Sequence, residues 1–244
     1  LSKQTEAAGI AATIQRAGAY GVEVGGLDAF FMDAMQRAPL LHPQDVCDEA
    51  AIVPLTTPAA RCLHRVNDLV MCALLAPLAL VLVAVSMVAV KLTSAGPVVF
   101  KHQRAGLDEQ PITVYKIRTM VHRQDGGFSP TAECDKRVTS VGRLLRRLRI
   151  DELPQLLCVL VGHMSLIGPR PESVERYRKF KSEIALFPWR KKCAPGITGW
   201  AQVNFGYGGE DEEALPKLCY DLYYVHRQSP LLDLRIMLRT PFAI

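Results

Sequence analysis

From Leu69 to Val90 the chain reads LVMCALLAPLALVLVAVSMVAV, an apolar run of 22 residues without a charge. As an α-helix it would extend roughly 33 Å, enough for the hydrocarbon core of a bilayer. Soluble helices of that length keep a polar face, so membrane contact is the stronger reading and core burial the weaker. The run starts at residue 69 and no cleavage-like end follows it, which argues against a signal peptide. Pro77 lies a third of the way in, lacks an N–H and clashes with the carbonyl four residues back, at Ala73. Two topologies fit: a helix bent at Pro77 that enters and leaves one leaflet, and a kinked spanning helix. Arg61 and Arg65 precede the run, and Lys91, Lys101, Arg104, Lys116 and Arg118 follow it. Positive charge on both flanks favours the first topology, because such residues stay on the cytoplasmic side.

The pattern changes downstream. Pro97–Phe100 and Ile112–Tyr115 are short β-prone runs separated by Gly106, Leu107 and Asp108, which predicts a hairpin. Residues 122–135 are polar with Gly, Ser and Pro, hence a loop. Helical periodicity is expected over 141–149, 152–160, 172–187, 215–226 and 231–239. Upstream, weak helical periodicity over 5–17 and 27–37 gives way to Pro39, Pro43, Pro54 and Pro58, as in a linker. The expectation is an appendage and linker over 1–60 and an α+β, mainly helical domain over 61–244.

At 244 residues with 49% apolar and 22% charged content, the chain is no disordered tail. Its seven cysteines are scattered and form no CxxC pair, which fits a reduced compartment and argues against disulfides or structural zinc. Charge is uneven. Residues 1–60 hold three basic and seven acidic side chains, whereas residues 61–244 hold 26 and 17. A basic body implies an anionic partner: nucleic acid, a phospholipid surface or phosphorylated substrates.

The densest positive cluster, Arg143, Arg146, Arg147 and Arg149, runs straight into Ile150-Asp151-Glu152-Leu153-Pro154-Gln155. Asp before a proline-containing first turn is a helix N-cap pattern, which by itself accounts for Asp151. It leaves unexplained why four arginines crowd two carboxylates. An acidic pair with Mg²⁺ inside an arginine pocket is an arrangement phosphoryl transfer needs: the metal and arginines hold phosphate oxygens while a carboxylate attacks phosphorus. Arg170, between Pro169 and Pro171, suits a preorganised phosphate contact or a rigid turn. Pro195 through Asn204, with Trp200 and two amides, reads as a base-lining loop or as a packed turn. Asp221, among Tyr220, Leu222, Tyr223 and Tyr224, orders its neighbours rather than reacting. The six histidines show no metal spacing, and GxSxG, GxxxxGKS and GxGxxG are all missing. A silent lipid-binding scaffold is a competing reading. A nucleic-acid patch is disfavoured by the apolar run and the lack of a groove-reading motif.

Taken in order, several stretches resemble the bacterial sugar transferases, the monotopic polyprenyl-phosphate phosphoglycosyl transferases. They are His64-Arg65-x-x-Asp68, Gly96 through Phe100, Arg104 through Leu107, Tyr115 through Met120, Arg137 through Thr139, Asp151 through Leu156, Met164 through Pro171, and Pro195 through Asn204. The resemblance covers about residues 61–240. It implies a monotopic fold with amphipathic interfacial helices and a re-entrant helix broken at Pro77, at the cytoplasmic face of the bacterial inner membrane. It also implies transfer of a phosphosugar from a UDP-sugar to undecaprenyl phosphate, the initiating step of exopolysaccharide or glycoconjugate synthesis. On that analogy Asp151 forms a phosphosugar-aspartyl intermediate and releases UMP. Glu152 holds Mg²⁺ with Asp151 or orients the dyad, and Arg146, Lys116, Arg118 and Arg170 bind phosphate. Inner-membrane lipids are then partners, nucleic acid is not, and a homo-oligomer is compatible with the sequence. Ala76, Asn67, Cys158, His163 and Phe205 depart from the family's usual residues.

Overall fold

The structure, a computed structural model, describes residues 32, 34–40, 57–121, 137–205 and 211–243. The first complete element is a 36-residue helix, α1 (Pro58–Thr93). Thr57 caps it by accepting from the Ala60 N–H at 3.2 Å, and Pro58 fills the first turn, where its missing N–H costs nothing. The apolar run is therefore the middle of a longer helix whose polar ends reach into the protein. Helical backbone continues through Pro77, so any bend the proline imposes lies within one continuous helix. A bend can relieve the clash of a proline ring without leaving helical geometry, so no break is required.

One stripe of α1, namely Asp68, Cys72, Ala79, Ser86 and Val90, is buried. Much of the remainder is bare: Leu78 is 63% exposed, Leu80 69% and Val85 63%. No other helix among the described residues is long and apolar enough to cross a membrane. Both ends of α1 are tied to the same body. At the N-terminal end, His64 Nδ1 meets Asp233 at 2.8 Å, and Arg65 donates to the carbonyls of Val159 and Leu160. Asp68 Oδ1 accepts from the Ser165 hydroxyl and the Leu166 N–H, each at 3.0 Å. At the C-terminal end, Arg118 Nη2 donates to the carbonyl and hydroxyl of Ser94, each at 2.8 Å.

The expected hairpin is present and longer than predicted. β1 (Val99–Ala105) pairs antiparallel with β2 (Pro111–Ile117), placing Phe100 opposite Lys116. Ile112, Val114 and Ile117 of β2 turn inward. α2 (Ser140–Arg147) follows, capped by Thr139, which accepts from the Gly142 N–H at 2.9 Å. The helix expected over 152–160 is instead a 3₁₀ turn, Ile150–Gln155, leading into α3 (Leu156–Leu160). Pro154 explains the division, since it has no N–H for an α-helical bond. β3 (Ser165–Ile167) lies parallel to β4 (Gly196–Thr198), bringing two of the motif segments side by side. Their backbones approach so closely that a Cβ on Gly196 would stand 2.1 Å from the Gly168 nitrogen. Only glycine fits there.

α4 (Val174–Glu183), α5 (Trp200–Phe205), α6 (Ala214–Arg227) and α7 (Pro230–Arg239) complete the body. The fold is thus mostly helical with two small sheets. Its main core gathers Phe180, Phe187, Trp200, Leu218, Leu222, Tyr224 and Ile236. Met32, Ala38 and Leu40 also belong to that core, although the sequence suggested a separate appendage over 1–60. Of the helix expected over 27–37, Met32, Ala34 and Met35 are described and helical. The periodicity over 5–17 and the loop over 122–135 lie outside the described residues.

Candidate active site

α2 ends where Arg149 adopts the left-handed conformation, φ 55°, and the chain turns directly into the 3₁₀ segment. Arg149 therefore occupies the cap position, and Asp151 and Glu152 fall within the first turn. The expectation that Asp151 caps a helix is corrected, because the segment has no side-chain cap. The two carboxylates are both buried yet differ in environment. Glu152 is gripped from two sides: Lys116 Nζ of β2 lies 2.6 Å from Oε1, and Arg170, just beyond β3, places Nη2 at 2.6 Å from Oε1 and Nη1 at 3.3 Å from Oε2. Arg149 stands 4.0 Å away. Burial works against the charge on Glu152, but the Arg170 and Lys116 cations outweigh it and hold this carboxyl well below the usual range.

Asp151 has no such clamp. Its Oδ1 is buried without a hydrogen-bond partner. Burial, reinforced by the negative charge of Glu152, pushes its pKa up, against the pull of Lys116, Arg146 and Arg149. Side by side, one carboxyl is held ionised by neighbouring cations and the other keeps a buried oxygen without a partner. Environments that push paired carboxyls apart are how one site assigns two roles.

Of the four predicted phosphate-binding cations, the fold brings Lys116 and Arg170 directly onto the dyad. Arg146 is near enough for its charge to act on Asp151, and its Nε donates to Thr119 Oγ1 at 2.7 Å. Arg118 Nη2 ties the end of α1 at Ser94, while its Nε and Nη1 are buried without a hydrogen-bond partner. Arg143 and Arg147 point outward.

Behind the dyad lies a cavity of about 190 Å³. Its cations are Arg149, Arg170, Arg176, Arg190 and Lys217, its acids Glu172 and Asp221, and its apolar wall includes Phe180 and Phe187. Arg149 and Arg170 belong to the cavity and to the dyad's surroundings at once, so an anion seated there lies next to the carboxylates. The Arg170 backbone is rigidly held, as its two flanking prolines suggested. Arg190 Nη2 donates to the Arg170 carbonyl at 3.0 Å, Arg104 Nη1 to that of Pro171 at 3.1 Å, and the Ala105 N–H to that of Glu172 at 3.0 Å. Arg190 is in turn paired with Asp221 at 2.6 Å, the ordering role expected for that aspartate. Sequence reasoning missed Arg190, Glu172 and Arg104. Arg190 sits in a plain basic run, and nothing in the spacing links it to an aspartate 31 residues on.

Trp200, read either as a base-lining residue or as part of a packed turn, is packed: it is 1% exposed and its Nε1 donates to the Gln36 carbonyl at 2.8 Å. Gln202 does line the cavity. No group of three or more potential metal ligands occurs among the described residues. For a divalent cation, Asp151 Oδ1 is the available oxygen, whereas both Glu152 oxygens are already engaged. Mg²⁺ commonly binds through one or two carboxylates together with substrate phosphates, so this donor set fits it.

Residues 59–244 match the family profile described as Bacterial sugar transferase. The chain belongs to that family. Among its bacterial sugar transferase relatives is the UDP-glucose:undecaprenyl-phosphate glucose-1-phosphate transferase of Escherichia coli (strain K12), 40% identical over 199 residues, 78% of this chain and 43% of the relative. The UDP-N-acetylgalactosamine-undecaprenyl-phosphate N-acetylgalactosaminephosphotransferase of Aeromonas hydrophila is 38% identical over 187 residues, 76% of this chain and 44% of the relative. A UDP-glucose:undecaprenyl-phosphate glucose-1-phosphate transferase of Caulobacter vibrioides is 39% identical over 208 residues, 82% of this chain and 78% of the relative. The chain thus spans less than half the length of the first two relatives and most of the third.

Proposed function

We propose that this chain is a phosphoglycosyl transferase that moves a sugar phosphate from a UDP-sugar to undecaprenyl phosphate at the cytoplasmic face of the bacterial inner membrane. The observation that carries the reading is Asp151: a buried carboxylate with an unpartnered oxygen, beside a clamped Glu152 and an arginine-lined cavity. The donor's diphosphate lies against Arg149 and Arg170, and Asp151 attacks the β-phosphorus. A P–O bond to the aspartate forms while the bond from that phosphorus to the bridging oxygen breaks, and UMP leaves with the electron pair. An oxygen of undecaprenyl phosphate then attacks the same phosphorus, releasing the Asp151 carboxylate and the polyprenyl-diphosphate sugar. Two half-reactions spare the soluble donor and the lipid acceptor from being bound together. Glu152 keeps Lys116 and Arg170 in place, and those cations with Arg146 stabilise charge on the transferring group. Mg²⁺, held by Asp151 Oδ1 and substrate phosphates, would neutralise phosphate charge as the nucleophile approaches.

The test is UMP release over a panel of UDP-sugars with undecaprenyl phosphate. At least one donor is expected to yield UMP. Chelation with EDTA should stop the release and added Mg²⁺ restore it. Release from no donor would defeat the activity, and release indifferent to EDTA would remove the metal alone.

The monotopic topology is part of the same reading. A straight α1 would carry Asp68 and Ser94 about 39 Å apart. A spanning helix would put its ends on opposite sides of a core about 30 Å thick. Here both ends hydrogen-bond to one body, which supports a helix bent near Pro77 that returns to the side it entered from. Exposed Leu144 of α2, Leu148 at its C-terminal cap, and Leu231, Leu234 and Leu238 of α7 suit amphipathic interfacial helices. Tags placed at the two termini should both be labelled from the cytoplasm only. An N-terminal tag reached from the periplasm would refute the re-entrant arrangement.

A further inference from the structure

We propose that the segment Gln36–Leu40, which lies outside the family-matched range, is an intrachain brace that sets the shape of the donor cavity. The proposal rests on the reading of that cavity as the nucleotide-sugar site. Three polar contacts dock the segment. The Trp200 indole N–H donates to the Gln36 carbonyl at 2.8 Å, the Ala38 N–H to the Cys219 carbonyl at 2.8 Å, and the Cys219 thiol to the Leu40 carbonyl at 3.6 Å. Ala38 is 1% exposed and Leu40 is buried with it in the main core.

The docking points have one thing in common. Trp200 begins α5, whose next two residues, Ala201 and Gln202, line the cavity. Cys219 lies on α6 between Leu218 and Asp221, which line it too. The brace therefore bridges, from the far side, the two helices that form one cavity wall. α5 has six residues, too few to hold a helix without tertiary packing. On its other flank α7 supplies Arg239, stacked on the Trp200 ring at 5.4 Å and donating to Asn204 Oδ1 at 3.1 Å. α5 also packs on α6, with the Trp200 ring against Tyr223, so the brace is one of three supports, and without it a buried indole N–H loses its acceptor.

Two full-length variants test this. Ala38→Arg cannot seat its side chain where Ala38 is buried, and Trp200→Phe keeps a ring but deletes the N–H. Amide hydrogen exchange of α5 and the 218–221 turn of α6 is read without ligand, and UMP binding is measured at equilibrium. Both variants should exchange faster at α5, and UMP should bind about fivefold more weakly to Trp200→Phe, the size expected for one lost hydrogen bond. The affinity for undecaprenyl phosphate should stay unchanged. Unaltered exchange at α5 in Trp200→Phe would overturn the brace, as would faster exchange with unchanged UMP affinity. Failure of the underlying reading looks different: the unmodified protein itself would bind no UMP.

Discussion

Asp151→Asn is expected to abolish turnover, by about 10⁴-fold or more, as removal of a covalent nucleophile does. The amide is nearly isosteric but supplies no anionic oxygen to attack phosphorus. Because Asp151 is buried with Oδ1 unpaired and its pKa raised, native packing gains little from its charge. Thermal stability and detergent extraction from the membrane should therefore match the unmodified protein. The measurement is UMP release, together with capture of label from radioactive donor on the protein. A variant that keeps a tenth of the activity, or label that still accumulates on it, would take the nucleophile's role away from Asp151.

The second large effect is on stability. Lys191 is 1% exposed, and its ammonium faces the Ala105 carbonyl at 2.6 Å and the Tyr177 ring at 5.5 Å. Burial first, and the neighbouring Arg190 charge second, pull its pKa down to about 7. In the unfolded chain the amine has its ordinary value near 10.5. Between those limits the unfolded state binds more protons, so this residue's contribution to stability rises with pH and is poorest below pH 7. Lys191→Met removes the penalty but leaves the Ala105 carbonyl without its donor, a loss of about 1–3 kcal/mol. Several kcal/mol of buried-charge penalty outweigh that near pH 7, so the variant should melt higher there, with a net gain on the order of 2 kcal/mol. Towards pH 10.5 the order should reverse, since only the lost hydrogen bond remains. Melting curves of the two proteins across pH 7–10 decide it; a difference that does not vary with pH would sink the argument.

What could be read from the sequence divides along physical lines. An uncharged run of 22 residues announces itself whatever surrounds it, and the hairpin announced itself through its β-prone strands and turn. The ends of α1 did not, because Arg65 and Asp68 interrupt the apolar signal and find their partners some 95 residues away. Asp151 and Glu152 were legible as a pair, mostly through the family pattern. Their unlike environments were not, since these depend on Lys116 arriving from β2 and Arg170 from the turn beyond β3. Asp151 looked like a cap because Asp and Pro suit one; the left-handed Arg149 took that position instead. The role of Gln36–Leu40 carried no periodic mark, being three contacts to helices more than 160 residues later.

A helix stitched to its own protein at both edges behaves unlike a lone transmembrane rod. A rod meets a thicker bilayer by changing its tilt. Here Asp68 and Ser94 are both pinned, so α1 has no free end with which to lean. On the proposed monotopic topology, variation in membrane thickness would instead be met by the depth at which the whole body floats. Since Glu152 is clamped within that body, lipid composition would, on the proposed function, adjust vertically where Asp151 meets an arriving headgroup.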